Sequence, residues 1–141
     1  MEKPKIIIEL KDLEKKKARL EELIMHYDRM SQSVPGPNYD REVVDGTRNN
    51  EAPFVKWVYK KIEAEEVLKD VLVKIDEKMR ELDDELDAID DEMAMVIRYR
   101  YILKECWDDI AKHMNYAVST VYRLHAKGLE ILKKTGDANE L

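Results

Sequence analysis

The chain has 141 residues, of which 40% are charged and 7% aromatic, with a net charge of −6 and four glycines and four prolines. That mix suits long solvated helices rather than a thick core, and the length allows one ordinary domain or two small ones. Ile6-Ile7-Ile8 is too short for a membrane span or a signal-peptide core, and the single Cys106 has no disulfide partner, so the expectation is a cytoplasmic protein with no membrane contact.

Residues 5 to 30 predict a first helix. Ile6, Leu10, Leu13, Leu20, Ile24 and Tyr27 recur at steps of four and three, interrupted only by Lys17. So narrow an apolar stripe needs a partner helix. The run Lys15-Lys16-Lys17 is read as a solvated face. From Ser31 to Ala52 the periodicity stops and Pro, Gly, Asn, Asp and Ser accumulate, which predicts an irregular loop over 31–52. Val43-Val44 is expected to pack locally there, and the loop is assigned no chemistry.

Pro53 fits the first turn of a second helix, where its missing N–H costs nothing. The helix is expected to run to about Asp83. Leu68, Leu72, Ile75, Met79, Leu82, Leu86, Ile89, Met93 and Val96 keep a coiled-coil rhythm. Each long helix would span roughly 40 Å, and the two form an antiparallel hairpin over residues 1–86. Trp57, Val58, Ile62, Val67, Val71 and Val73 widen the second helix's apolar surface. This favours a homodimer in which two hairpins pair; the alternative is a monomer whose hairpin packs on its own C-terminal domain. Between Asp83 and Glu92 lie seven acids. Asp90 suits an N-cap with Asp91 and Glu92 in the first turn, yet the heptad continues through this stretch, so a break and a continuous helix both remain open.

After residue 90 the pattern changes. A short helix carries Met93, Val96, Ile97, Tyr99, Tyr101 and Ile102, and Lys104-Glu105-Cys106 breaks it. Trp107–Met114 predicts a helix of about two turns, with Trp107, Ile110, Ala111 and Met114 facing inward. Asn115-Tyr116 is a tight turn in which asparagine tolerates the left-handed conformation. A last helix over 118–134 would bury Val121, Leu124, His125, Gly128, Leu129 and Leu132. Two helices crossing steeply need a small residue at the contact, and Ala111 provides one. From Arg98 to Lys134 there are eight bases and four acids, a surplus of +4 that leaves −10 on the rest of the chain. A basic end on an acidic body is the asymmetry of a DNA binder whose body does something else.

Arg98-Tyr-Arg-Tyr-Ile102, Trp107-x-Asp-Ile-Ala111 and Ser119-Thr-Val-Tyr-Arg-Leu-His125 resemble region four of bacterial sigma factors. More closely, they are similar to the sigma-like helix-turn-helix of small phage-encoded regulators of the ArpU type. The resemblance is sharp over about residues 96–133 and rests only on general layout over the first 80. It implies major-groove contacts from Ser119, Thr120, Tyr122 and Arg123, and control of phage or prophage late genes. Ala117 stands where the family usually has a serine, so a helix cap worth about 1 kcal/mol is missing; Ser119 is the candidate substitute.

Role by role, Arg123 is the expected base contact, since bidentate arginine–guanine pairing gives about 1–3 kcal/mol of discrimination. Its alternative is a surface ion pair. Ser119 and Thr120 would bond phosphates or base edges, or cap the helix. Tyr122 would pack on the sugar–phosphate backbone or cover the domain. Lys112, Lys127, Lys133 and Lys134 would meet phosphates, with a merely solvated face as the alternative. Arg98 and Arg100 would touch the backbone too, with pairing to an acid of the same domain as the alternative for Arg98. Trp107, Ile110, Val121 and Leu124 are expected in the core, His125 partly buried, and Cys106 buried. No catalytic residues, cofactor or metal set is identified: neither a glycine-rich phosphate loop, nor metal-ligand spacing around His113 or His125, nor a nucleophile–base pair is recognisable.

The expectation is an all-α protein with a helical hairpin over 1–86, a sigma-region-four-like helix-turn-helix domain over 87–135, and a disordered tail over 136–141. Its function would be sequence-specific binding of double-stranded DNA in transcription regulation, without enzymatic activity. The alternative is an adaptor that docks on RNA polymerase or another protein through its acidic helical body.

Overall fold

The computed structural model describes residues 3–32 and 54–140, and the fold is all-α. We number the helices α1 (Lys5–Gln32), α2 (Val55–Leu86), α3 (Asp91–Ile97), α4 (Trp107–Met114) and α5 (Val118–Glu140), with a π-helical turn at Arg98–Ile102 closing α3. Of the loop expected at 31–52, Ser31 and Gln32 belong to α1; the rest, with Val43, Val44 and Pro53, lies outside the described residues. The tail expected to be disordered from 136 is instead a continuation of α5 as far as Glu140.

Two compact units divide the chain. One joins the residues up to Glu14 to those from Lys74 onward; the other is Lys15–Val73. The expected division between 86 and 87 falls inside the first of these units. The physical reason lies in where apolar bulk is buried. Ile7, Leu10, Leu82, Leu86, Ile97 and Leu132 are all at most 1% exposed, so the start of α1 and the end of α2 belong to the same core-bearing unit as the C-terminal helices. Pro4 begins α1, its carbonyl accepting from the N–H groups of Ile7 and Ile8. In this unit Lys78 of α2 pairs with Glu9 of α1 at 2.5 Å.

The Lys15–Val73 unit is thinner. Among its described residues only Ala64 and Val71 are buried. Lys61 pairs with Asp28 at 2.8 Å, and the Trp57 ring meets those of His26 and Tyr27. The stripe expected along α2 is shifted by one position here. Val71 is 2% exposed, whereas Leu72 is 43% exposed. The inward column here passes through Ala64, Leu68 and Val71.

The acidic stretch breaks the helix. α2 ends at Leu86, and its last turn tightens through i→i+3 bonds from Asp87, Ala88 and Ile89 to Asp84, Glu85 and Leu86. Asp90 occupies the N-cap position of α3 but makes no side-chain cap bond; Asp91 and Glu92 fill the first turn. Arg98 then reaches back across the break. Its guanidinium pairs with Asp83 at 2.6 Å and Asp87 at 2.7 Å, and also donates to the Asp83 carbonyl. A cation thus meets the carbonyl end of α2, where the helix dipole favours it.

Candidate nucleic-acid interface

α4 and α5 form the helix pair. α4 ends on Asn115, whose φ of 59° and ψ of 40° are left-handed, and the Tyr116 N–H closes onto the Ala111 carbonyl. Asparagine takes this conformation more readily than most side chains. α5 starts directly afterward, with the Ala117 carbonyl accepting from Thr120 and Val121. Only three residues separate the helices, and a core of Val96, Ile110, Ala111 and Val121 locks them. Trp107 and Leu124 pack against that core but remain half-buried, so they belong to its edge. The Tyr116 hydroxyl donates to Glu92 at 2.5 Å, tying the turn back to α3.

α3 crosses α5 at Gly128. A Cβ there would lie 2.7 Å from Ile97 Cδ1 and 3.2 Å from Met93 Cβ. The glycine is therefore a spacer that lets the two backbones approach. On the far side of α5, Ser119, Tyr122, Arg123, Ala126, Lys127 and Glu130 are exposed. Ser119, Arg123 and Lys127 follow one another at steps of four, so they share one face. Among the described residues, Arg123 and Lys127 make no ion pair, and neither does Lys112, exposed on α4.

The other predicted contacts are placed differently. Thr120 is half-buried at the flank of that face. Tyr122 is half exposed and packs edge-on against Trp107 at 4.9 Å, so its ring is already committed to the domain. Lys133 is half-buried and has an interaction of its own, and it stands roughly 20 Å along the helix from Ser119. Lys134 pairs with Glu130 at 4.0 Å. Arg98 is taken by the end of α2, as described. Arg100 donates to the Glu105 carbonyl at 3.1 Å, and its guanidinium lies 4.5 Å above the Trp107 ring. The surplus of +4 is thus largely engaged within the unit, and among the described residues Lys112, Arg123 and Lys127 carry its unpaired part. Cys106 is exposed, not buried, and occupies the extended N-cap position of α4.

His125 is half-buried as expected. Its Nε2 and the Tyr101 hydroxyl share a hydrogen bond of 2.8 Å, and Trp107 meets its ring edge-on at 4.8 Å. Burial, followed by the charges of Lys3, Arg100 and Lys11, pushes its pKa down to about 4. Burial also raises the Tyr101 phenol above its ordinary value. Among the described residues no three His, Cys, Asp or Glu side chains gather at a possible metal site, and no helix is long and apolar enough to cross a membrane. The pairing of Arg100 with Trp107 has no signature in the sequence, because an arginine over an aromatic ring depends on the π turn that aims it.

No family model, no curated protein and no solved structure matches the chain.

Proposed function

We propose that α4 and α5 form a helix-turn-helix that binds double-stranded DNA, with α5 entering the major groove and the protein acting in transcription regulation. One observation carries this reading. A three-residue turn anchored on left-handed Asn115 holds out a helix whose exposed face bears Ser119, Arg123 and Lys127, with neither cation in an ion pair among the described residues. Helix pairs of this kind read DNA through the first turns of the second helix. In this reading Arg123 contacts a base, Ser119 contacts phosphate or base edge, and Lys112 and Lys127 contact phosphates. The likeness to ArpU-type regulators makes phage or prophage late promoters the first DNA to try.

So few free cations give one copy limited phosphate affinity, since affinity scales with the phosphates neutralised. A homodimer doubles them. Support for self-association comes from the Lys15–Val73 unit, which buries little of its own and exposes Tyr59, Ile62 and Val73 on α2. The same exposed surface favours a second reading, in which the acidic helical body docks on a protein such as RNA polymerase.

The deciding experiment is fluorescence anisotropy of the full chain with duplexes from late promoters and from the gene's own surroundings, across a salt series. Sequence-selective binding with a steep salt slope is expected, and Arg123→Ala should lose about 1–3 kcal/mol and much of the selectivity. Weak, unselective binding that is indifferent to Arg123→Ala would reject the reading in favour of a protein partner.

A further inference from the structure

Within the larger unit the start of α1 and the residues around the π turn border a half-open cleft of about 260 Å³, lined by Leu10, Lys11, Glu14, Arg100, Tyr101 and Lys104. Three cations and one carboxylate line it, and the carboxylate of Glu14 is already paired with Lys104. The Lys11 ammonium lies 5.8 Å from the centre of the Tyr101 ring. We propose that this cleft binds a small organic phosphate, the phosphate held by Lys11, Arg100 and Lys104 and the organic part lying against Leu10 and Tyr101.

Two groups register the missing counter-charge. The Lys11 amine is pushed down to about 8, first by the neighbouring Lys3 amine, then by burial and by the charge of Arg100, with Glu14 opposing. His125, behind Tyr101, is held near 4 by burial and by Lys3, Arg100 and Lys11 together. Cations crowded into a half-apolar cleft raise one another's charging cost, and an anion removes it. Lys104 presents its side chain from a left-handed backbone, φ 59°, which glycine would adopt at lower cost. The volume lies near the lower end of small-molecule sites, which begin at about 300 Å³. None of the lining residues belongs to the exposed face of α5, so this site does not depend on the DNA-binding reading.

The test uses the full chain with Trp57→Phe, leaving Trp107 beneath Arg100 as the sole indole. Phenyl phosphate and inorganic phosphate are titrated at pH 7.5 while Trp107 emission is followed. Saturable binding is expected, tighter for phenyl phosphate because of its added ring contact. Lys11→Gln should weaken it by about tenfold or more. Glu14→Gln should tighten it, because the competing carboxylate is gone; this gain keeps the test decisive even where Lys11→Gln impairs folding. The His125 imidazole resonance should titrate at higher pH in the loaded protein than in the free one. Failure to saturate below about 10 mM overturns the assignment. So do affinities that neither substitution changes, and so does displacement of phenyl phosphate by a short DNA duplex. Arg123→Ala should bind phenyl phosphate as the parent does, which separates failure at this cleft from failure of the DNA reading.

Discussion

Gly128 and His125 lie one turn apart on α5 and serve the fold in opposite ways, one by lacking a side chain and one by keeping its side chain uncharged. Gly128→Ala gains up to about 1 kcal/mol of helix propensity. It also drives a methyl against the Met93 Cβ, which is fixed to the α3 backbone, and overpacking of this kind costs about 1–3 kcal/mol. The expected outcome is a net loss in denaturant unfolding; a stabilised variant would mean that α3 shifts freely. His125 sets a pH dependence. Its folded pKa of about 4 lies below the ordinary 6.5, so the unfolded chain takes up the proton first. Its contribution is complete above pH 6.5 and is lost as pH falls from 6.5 toward 4. His125→Gln should flatten the stability curve across that window relative to the parent, and urea titrations at pH 7 and pH 5 measure the difference.

The turn between α4 and α5 and the junction between α2 and α3 are where whole elements take their direction. Asn115→Ala places an ordinary side chain in the left-handed region and should cost about 1–2 kcal/mol, while Asn115→Gly should be nearly neutral. Equal losses from both would show that the asparagine side chain, not its backbone, holds the turn. At the other junction, Arg98→Ala removes the cation from the carbonyl end of α2 and from Asp83 and Asp87. Because those carboxylates are largely solvated, the expected loss is modest, about 1 kcal/mol, and it should shrink in high salt. Calorimetry in low and high salt separates this ionic part from lost packing.

For the molecule as a whole, the expectation concerns association. The Lys15–Val73 unit buries little of itself, and Tyr59 and Val73 are each 57% exposed. Sedimentation equilibrium at micromolar concentration should find a dimer. Tyr59→Glu with Val73→Glu should yield a monomer of unchanged helicity and a halved salt slope in DNA binding. A parent chain that sediments as a monomer would remove the dimer from the proposal and leave a single copy of the proposed helix-turn-helix to carry the binding.

Local rules were enough for much of this protein. Alternating steps of four and three placed the long helices, because a helix face repeats every 3.6 residues whatever surrounds it. The same rule separated inward Val121, Leu129 and Leu132 from outward Ser119, Arg123 and Lys127, and Asn115 marked a left-handed turn through its own conformational preference. Tertiary structure decided the rest. Whether the heptad breaks at Asp87–Asp90 depended on Arg98 reaching back to Asp83, a contact between elements. Which arginines remain free depended on Arg98 and Arg100 finding partners that no spacing announces. Lys11 and Arg100 come to one cleft from 89 positions apart. Charge and burial are properties of neighbours in space, and periodicity along the chain says nothing about neighbours so distant in sequence.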